Sequence, residues 1–167
     1  MSKLDYKRSA DFKTKFVCDV PINDREVYRI SNKEYRDMKY VDLRIFVKAI
    51  EDNKFTPRIQ GLWIERELLE DAIEGLTLTR DAPIRRSLSG PEQHHIVVWQ
   101  FYITEWDIYR FYKVRKKDSE FVEIRRMTMN VDRKWGPYDR KGLVIEMRLI
   151  DAVISGLKKA LKTHSIK

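Results

Sequence analysis

Apolar and polar residues alternate strictly along KYVDLRIFVK, which sets Val41, Leu43, Ile45 and Val47 on one face of a strand and Tyr40, Asp42, Arg44, Phe46 and Lys48 on the other. A loop with Pro57 follows, and GLWIER predicts a second strand. From Glu67 the period becomes helical, with Leu68, Leu69, Ala72, Ile73 and Leu76 forming one stripe. Upstream, REVYRISNKEYR is rich in β-branched and aromatic residues and predicts further strands. The same succession returns later. HHIVVWQFYITEWDIYRFYKVRK supplies strand residues, and Leu149, Ile150, Val153, Ile154, Leu157 and Leu161 supply a second helical stripe.

The return is a repeat. A shift of 81 residues aligns 40–76 with 121–157 without a gap, and ten of the 37 pairs are identical: Val41/Val122, Arg44/Arg125, Gly61/Gly142, Leu62/Leu143, Ile64/Ile145, Glu65/Glu146, Leu68/Leu149, Ile73/Ile154, Gly75/Gly156 and Leu76/Leu157. Ordinary composition gives roughly two by chance. The chain therefore reads as a diverged tandem duplication, and the expected fold class is α+β: two ββββα repeats, each a curved antiparallel sheet with a helix. One such unit is small, and its helix covers only part of a sheet face, so the two helices are expected to pack together in an intramolecular pseudodimer. The acidic residues of the first helix (Glu67, Glu70, Asp71, Glu74) and the lysines ending the second (Lys158, Lys159, Lys162) suit that docking. The expected boundaries are a basic N-terminal arm at 1–24, a first repeat at 25–77, a linker at 78–95, a second repeat at 96–163 and a tail at 164–167.

Composition narrows the function classes. The 167 residues carry a net charge of +8, which favours an acidic partner such as nucleic acid. The excess is uneven, +1 over residues 1–80 and +7 over 81–167. Cys18 is the only cysteine, so there is no disulfide framework and no thiolate metal cluster. No apolar run reaches the roughly 20 residues of a membrane-spanning helix. The N-terminal MSKLDYKRSADFKTKF lacks the apolar stretch of a secretory signal, so an intracellular location is expected, nuclear in a eukaryote. No phosphate-binding, dinucleotide, nucleophile-elbow or metalloprotease motif occurs, and no enzymatic activity, cofactor or metal is expected. Adjacent strand residues point to opposite faces, so His94 and His95 read as linker residues rather than joint metal ligands. Cys18 reads as a small buried side chain. Arg85-Arg86-Ser87-Leu88-Ser89 has the form of a basic-directed phosphorylation site.

The polar face of each sheet holds the candidate chemistry. Arginines interleaved with rings suit a single strand, whose bases stack on flat surfaces while cations meet the phosphates. Cross-strand Arg–aromatic and Arg–Asp pairs also stabilise a plain solvated surface, so the pattern alone leaves both readings open.

EYRDMKYVDLRIF followed by FTPRIQGLWI and a helix resembles the single-stranded-DNA-binding domain of the transcriptional coactivators called positive cofactor four. Tyr35-Arg36 matches that family's aromatic–basic pair, Val41-Asp42-Leu43-Arg44 its V-D-I-R block, and Pro57 with Gly61 its loop. Val122-Glu123-Ile124-Arg125 and Arg140-Lys141-Gly142-Leu143 match the same blocks in the second repeat. The resemblance implies ββββα units that pair through their helices and bind single-stranded DNA across two sheets. The overall architecture is also similar to Whirly proteins and kinetoplastid guide-RNA-binding proteins. Val47 and Thr128 stand where the family often has a tryptophan, leaving Trp63 or Trp135 to compensate. The second repeat shows no plain equivalent of Tyr35-Arg36, with Phe111, Tyr112 and Lys113 the nearest.

On this reading Arg44 and Arg125 hold phosphates, and Tyr35, Tyr40, Phe46 and Trp135 offer stacking surfaces. Arg36, Lys39, Lys48, Arg58, Lys117, Lys134, Arg140 and Lys141 line the path. The expected partner is single-stranded DNA, with RNA or a component of the transcription machinery as alternatives. The pseudodimer is expected to be monomeric, with further self-association open.

Overall fold

The computed structural model describes residues 12–83 and 93–163, leaving aside the side chains of 93–94 and 139–141. Strands β1 (Lys13–Pro21), β2 (Glu26–Tyr35), β3 (Met38–Lys48) and β4 (Phe55–Glu65) lead through one 3-10 turn into helix α1 (Leu69–Asp81). Strands β5 (Gln93–Tyr102), β6 (Asp107–Lys116), β7 (Ser119–Met129) and β8 (Trp135–Glu146) lead in the same way into α2 (Ile150–Lys162). The fold is α+β, an eight-stranded sheet in the order β1-β2-β3-β4-β8-β7-β6-β5 with two helices. All its pairings are antiparallel. The halves join where Gly61 of β4 pairs with Gly142 of β8, positions related by the sequence repeat.

The helices are exchanged. α2 packs against β1 and β2, and α1 packs against β5 and β6. Glycine makes each crossing close: a Cβ on Gly156 would meet Ile30 Cδ1 at 2.5 Å, and one on Gly75 would meet the Phe111 ring at 2.8 Å. Polar contacts repeat the exchange. Tyr28 donates its hydroxyl hydrogen to the Val144 carbonyl, and Tyr109, its repeat counterpart, donates to the Trp63 carbonyl. Asn32 donates to the Thr163 carbonyl at 2.9 Å beyond the end of α2, while Lys113, at the matching position, donates to the Arg80 carbonyl at 2.8 Å near the end of α1. Both satisfy carbonyls that a helix terminus leaves without partners, and Lys113 also meets the negative end of the helix dipole. Each half thus supplies lid and caps for the other, and one core cluster runs from Val17 to Ala160.

The expected boundaries move. β1 falls within the stretch assigned to the N-terminal arm, α1 runs into the assigned linker to Asp81, and β5 starts inside that linker at Gln93. β1 escapes a period-two reading because its register shifts between Phe16 and Cys18, so Val17 and Val20 both reach the core. An ion pair between the helices, Arg80–Asp151 at 2.7 Å, is opposite in polarity to the expected attraction. Cys18 is half-buried against Gly156, and burial pushes its thiol pKa up. Ser87 and Ser89 lie outside the described residues.

The repeat also slips by one residue in its last hairpin. Lys48 faces Phe55 where Met129 faces Trp135, and Phe46 faces Pro57 where Met127 faces Pro137. Trp135 is therefore the structural counterpart of Phe55, a match that the ungapped alignment hides.

Candidate nucleic-acid interface

Core residues alternate with a second set that faces away from the helices, and that outer face differs between the halves. In the first half its charges are matched internally. Arg44 donates from Nη1 to the carbonyls of Arg58 and Ile59, both at 2.9 Å, and from Nε to Asp42 at 3.2 Å. Its side chain is only 16% exposed, and Asp42 is 2% exposed. Gly61 lets this arginine lie flat, since a Cβ there would meet Arg44 Cζ at 2.8 Å. Arg44 thus braces the irregular stretch of β4. Lys33 also pairs with Asp42, at 3.6 Å, and lies 5.2 Å from the Trp63 ring. Arg29 bonds Asp19 through two nitrogens, at 2.8 and 3.0 Å, among the rings of Phe16, Phe46 and Phe55. The Asp19 bond holds the Arg29 pKa above its ordinary value.

In the second half the arginine equivalent to Arg44 is more exposed. Arg125 donates from Nε to Glu123, lies 5.6 Å from the Tyr112 ring and has a side chain 42% exposed. Arg110 stands where the first half has Arg29, and Gln100 stands where it has Asp19. Arg110 Nε therefore donates to a neutral amide at 3.1 Å, and its charge is not cancelled there. Beyond Arg125, Trp135 meets Tyr102 at 6.2 Å, and Tyr102 and Trp106 are exposed. His95 belongs to β5 rather than a linker, with Nε2 3.5 Å from Glu123.

Past the Gly61–Gly142 pair, a cleft of about 300 Å³ opens between the halves. Tyr40, Trp63 and Glu65 line it from the first half, and Tyr109 and Arg126 from the second. The Tyr40 and Trp63 rings are 5.6 Å apart. Burial pushes the Tyr109 hydroxyl up to about 12, with Arg126 opposing that rise and Glu65 adding to it. Arg126 bonds Asp107 through Nη2 at 3.0 Å, and its Nε is buried without a hydrogen-bond partner among the described residues.

The other sequence candidates fall in different places. Tyr35 is covered by Phe12, stacked at 4.5 Å, and Arg36 lies 5.1 Å from the Tyr35 ring in the β2–β3 turn. Lys39 is exposed on β3, and Lys48 is half-buried at its end. Phe46 sits beneath Arg29 at 4.6 Å. Arg58 pairs with Glu26 at 2.9 Å. Lys117 is exposed in the β6–β7 turn with φ 54°, where Arg36 has φ 47° in the first half. Register therefore makes Lys116-Lys117 the counterpart of Tyr35-Arg36. Phe111 is instead a core residue, and Lys113 caps a helix. Lys134 is exposed before Trp135. The side chains of Arg140 and Lys141 lie outside the described residues. Sequence reasoning missed Arg29 and Arg110, which sit in strands whose outer faces are not fixed by the clearest alternating run.

Over part of its length the chain is similar to a PC4 homologue from Burkholderia pseudomallei, solved in two crystal forms. The orthorhombic form is 37% identical with a TM-score of 0.39, covering 42% of this chain and 95% of the homologue. The tetragonal form is 40% identical with a TM-score of 0.37, covering 39% and 94%. The Trypanosoma brucei MRP1/MRP2 structure is 10% identical with a TM-score of 0.36, covering 98% of this chain and 96% of that one. No protein-family model and no curated protein matches the chain.

Proposed function

We propose that the chain is a non-enzymatic single-stranded-DNA-binding protein that holds its ligand on the outer face of the sheet, chiefly on the second half. The observation that carries this reading is Arg125, whose side chain is 42% exposed beside the Tyr112 ring and next to Arg110, which donates to the neutral amide of Gln100. Cations for phosphates beside rings for bases are the pairing that single-strand binders use. Lys117 and Lys134 extend the positive surface, and Trp135 with Tyr102 offers a stacking platform. The V-D-L-R block and its second copy support the same reading from the sequence. The chain then acts as a fused counterpart of a two-chain assembly, with a role in transcription or genome maintenance. Stacking and charge alone distinguish bases little.

Fluorescence anisotropy with labelled oligonucleotides of about 20 nucleotides tests this, in single- and double-stranded form and at two salt concentrations. The expected result is tighter binding to the single strand, with affinity falling as salt rises. Tighter binding to RNA of the same sequence would replace DNA by RNA as ligand. No binding at low salt would overturn the reading and favour a protein partner.

A further inference from the structure

The cleft between the halves combines features that a plain phosphate track does not need. Two rings, Tyr40 and Trp63, line it with a carboxylate, Glu65, and a guanidinium, Arg126. Glu65 has no ion-pair partner among the described residues, whereas its repeat counterpart Glu146 pairs with Arg148 at 2.7 Å. Arg126 stands where the first half has Ile45, so the repeat supplies this arginine only once. Its Nη2 donates to Asp107 at 3.0 Å, and its side chain lines the cleft 27% exposed.

These groups define the ligand by chemistry. A phosphate or other small anion is disfavoured, because Glu65 repels it. A neutral planar heterocycle fits, stacking on a ring while giving hydrogens to the carboxylate and taking one from the arginine. Among the bases only guanine presents two adjacent donors on its Watson–Crick edge, N1–H and N2–H, which a carboxylate accepts as a pair. It also carries the O6 and N7 acceptors that arginine meets. Adenine, cytosine and thymine place an acceptor beside each donor on that edge and would set it against Glu65.

We propose that this cleft is a guanine pocket, in which an unpaired guanine turned out of the bound strand is held by Glu65 and Arg126 against Tyr40 or Trp63. The proposal rests on the single-strand reading above and adds one base-reading site to it. A volume of about 300 Å³ lies at the lower end for small-ligand pockets, in keeping with one base.

The test compares oligothymidylate of about 20 nucleotides with the same strand carrying one central guanine, adenine or cytosine. Guanine is expected to tighten binding about tenfold over the other three. Glu65→Gln should abolish that preference while leaving oligothymidylate affinity within about twofold, because an amide offers one donor and one acceptor to an edge that needs two acceptors. Equal affinity for all four strands, or a guanine preference that survives Glu65→Gln, would overturn the pocket while the single-strand reading stands. If oligothymidylate itself does not bind, the single-strand reading fails, and quenching of tryptophan fluorescence by guanosine monophosphate against adenosine monophosphate decides the pocket alone. Quenching specific to the guanine nucleotide supports it, and equal or absent quenching overturns it.

Discussion

Arg44 and Arg125 occupy the same place in the two repeats, yet their side chains have different work. Arg44 is folded over Gly61 onto two carbonyls and a buried aspartate. Arg125 donates from Nε to Glu123, and its side chain is far more exposed than that of Arg44. The same contrast runs along the strands, where Arg29 is neutralised by Asp19 and Arg110 donates to the neutral amide of Gln100. A duplicated sheet has two outer faces and needs only one of them to meet a ligand most strongly. The first face holds Arg29 and Arg44 in ion pairs with Asp19 and Asp42, and residues 81–167 carry +7 of the net charge of +8. Beneath both faces the core stays common, because each helix covers the other half's strands.

Substitutions in that common core should erase the comparison. Gly156→Val drives a side chain into Ile30 and Cys18, and should cost about 3 kcal/mol of stability. Thermal unfolding followed by near-ultraviolet and far-ultraviolet dichroism should still show one transition, at lower temperature, since neither half keeps its lid alone. Two separate transitions would count against the shared core. Arg29→Ala sharpens the contrast by removing a guanidinium from an aromatic cage and leaving Asp19 unpaired, at about 1–2 kcal/mol. Arg110→Ala should change stability by less than about 0.5 kcal/mol, as surface substitutions usually do. Chemical denaturation of the two variants side by side checks the pair.

A smaller effect comes from copying the first half's neutralisation into the second. Gln100→Asp sets a carboxylate beside Arg110 and should weaken single-strand binding about threefold at low salt, with less effect at high salt. The halves should respond alike to alkali, since Tyr28 and Tyr109 both have raised pKa values through burial. For Tyr109, raised from its ordinary value of 10.0 to about 12, the contribution to stability is whole below about pH 10. It is lost as pH rises through about 12, because the unfolded chain releases that proton first. Tyr109→Phe should flatten that part of the denaturation midpoint against pH.

Much of this fold was legible because the sequence states it twice. Strict alternation at 40–48 and the stripes of both helices appear where they were expected, and the paired glycines mark close approaches at the sheet join and the helix crossings. β1 was not legible, since a register shift between Phe16 and Cys18 breaks its alternation. Nor was the helix exchange, which depends on long-range contacts such as Gly156 on Ile30 that no local period encodes. At the interface, identical residues concealed different roles. Nothing in V-D-L-R shows that its arginine bends onto carbonyls fourteen and fifteen residues away, or that the arginine of V-E-I-R is the more exposed of the two. The pairing of Trp135 with Phe55 was hidden by a hairpin one residue shorter.

The most direct test of unequal faces measures Arg44→Ala and Arg125→Ala together, each by thermal unfolding and by anisotropy with a single-stranded 20-mer across a salt series. Arg125→Ala should bind about tenfold more weakly and lose about 0.7 from the slope of log affinity against log salt, the share of one phosphate contact. Arg44→Ala should lose about 2 kcal/mol of stability, because Asp42 stays buried with only Lys33 beside it, and should keep its salt slope. If Arg44→Ala instead melts normally and gives up the phosphate contact while Arg125→Ala binds unchanged, the assignment of the ligand to the second half is wrong.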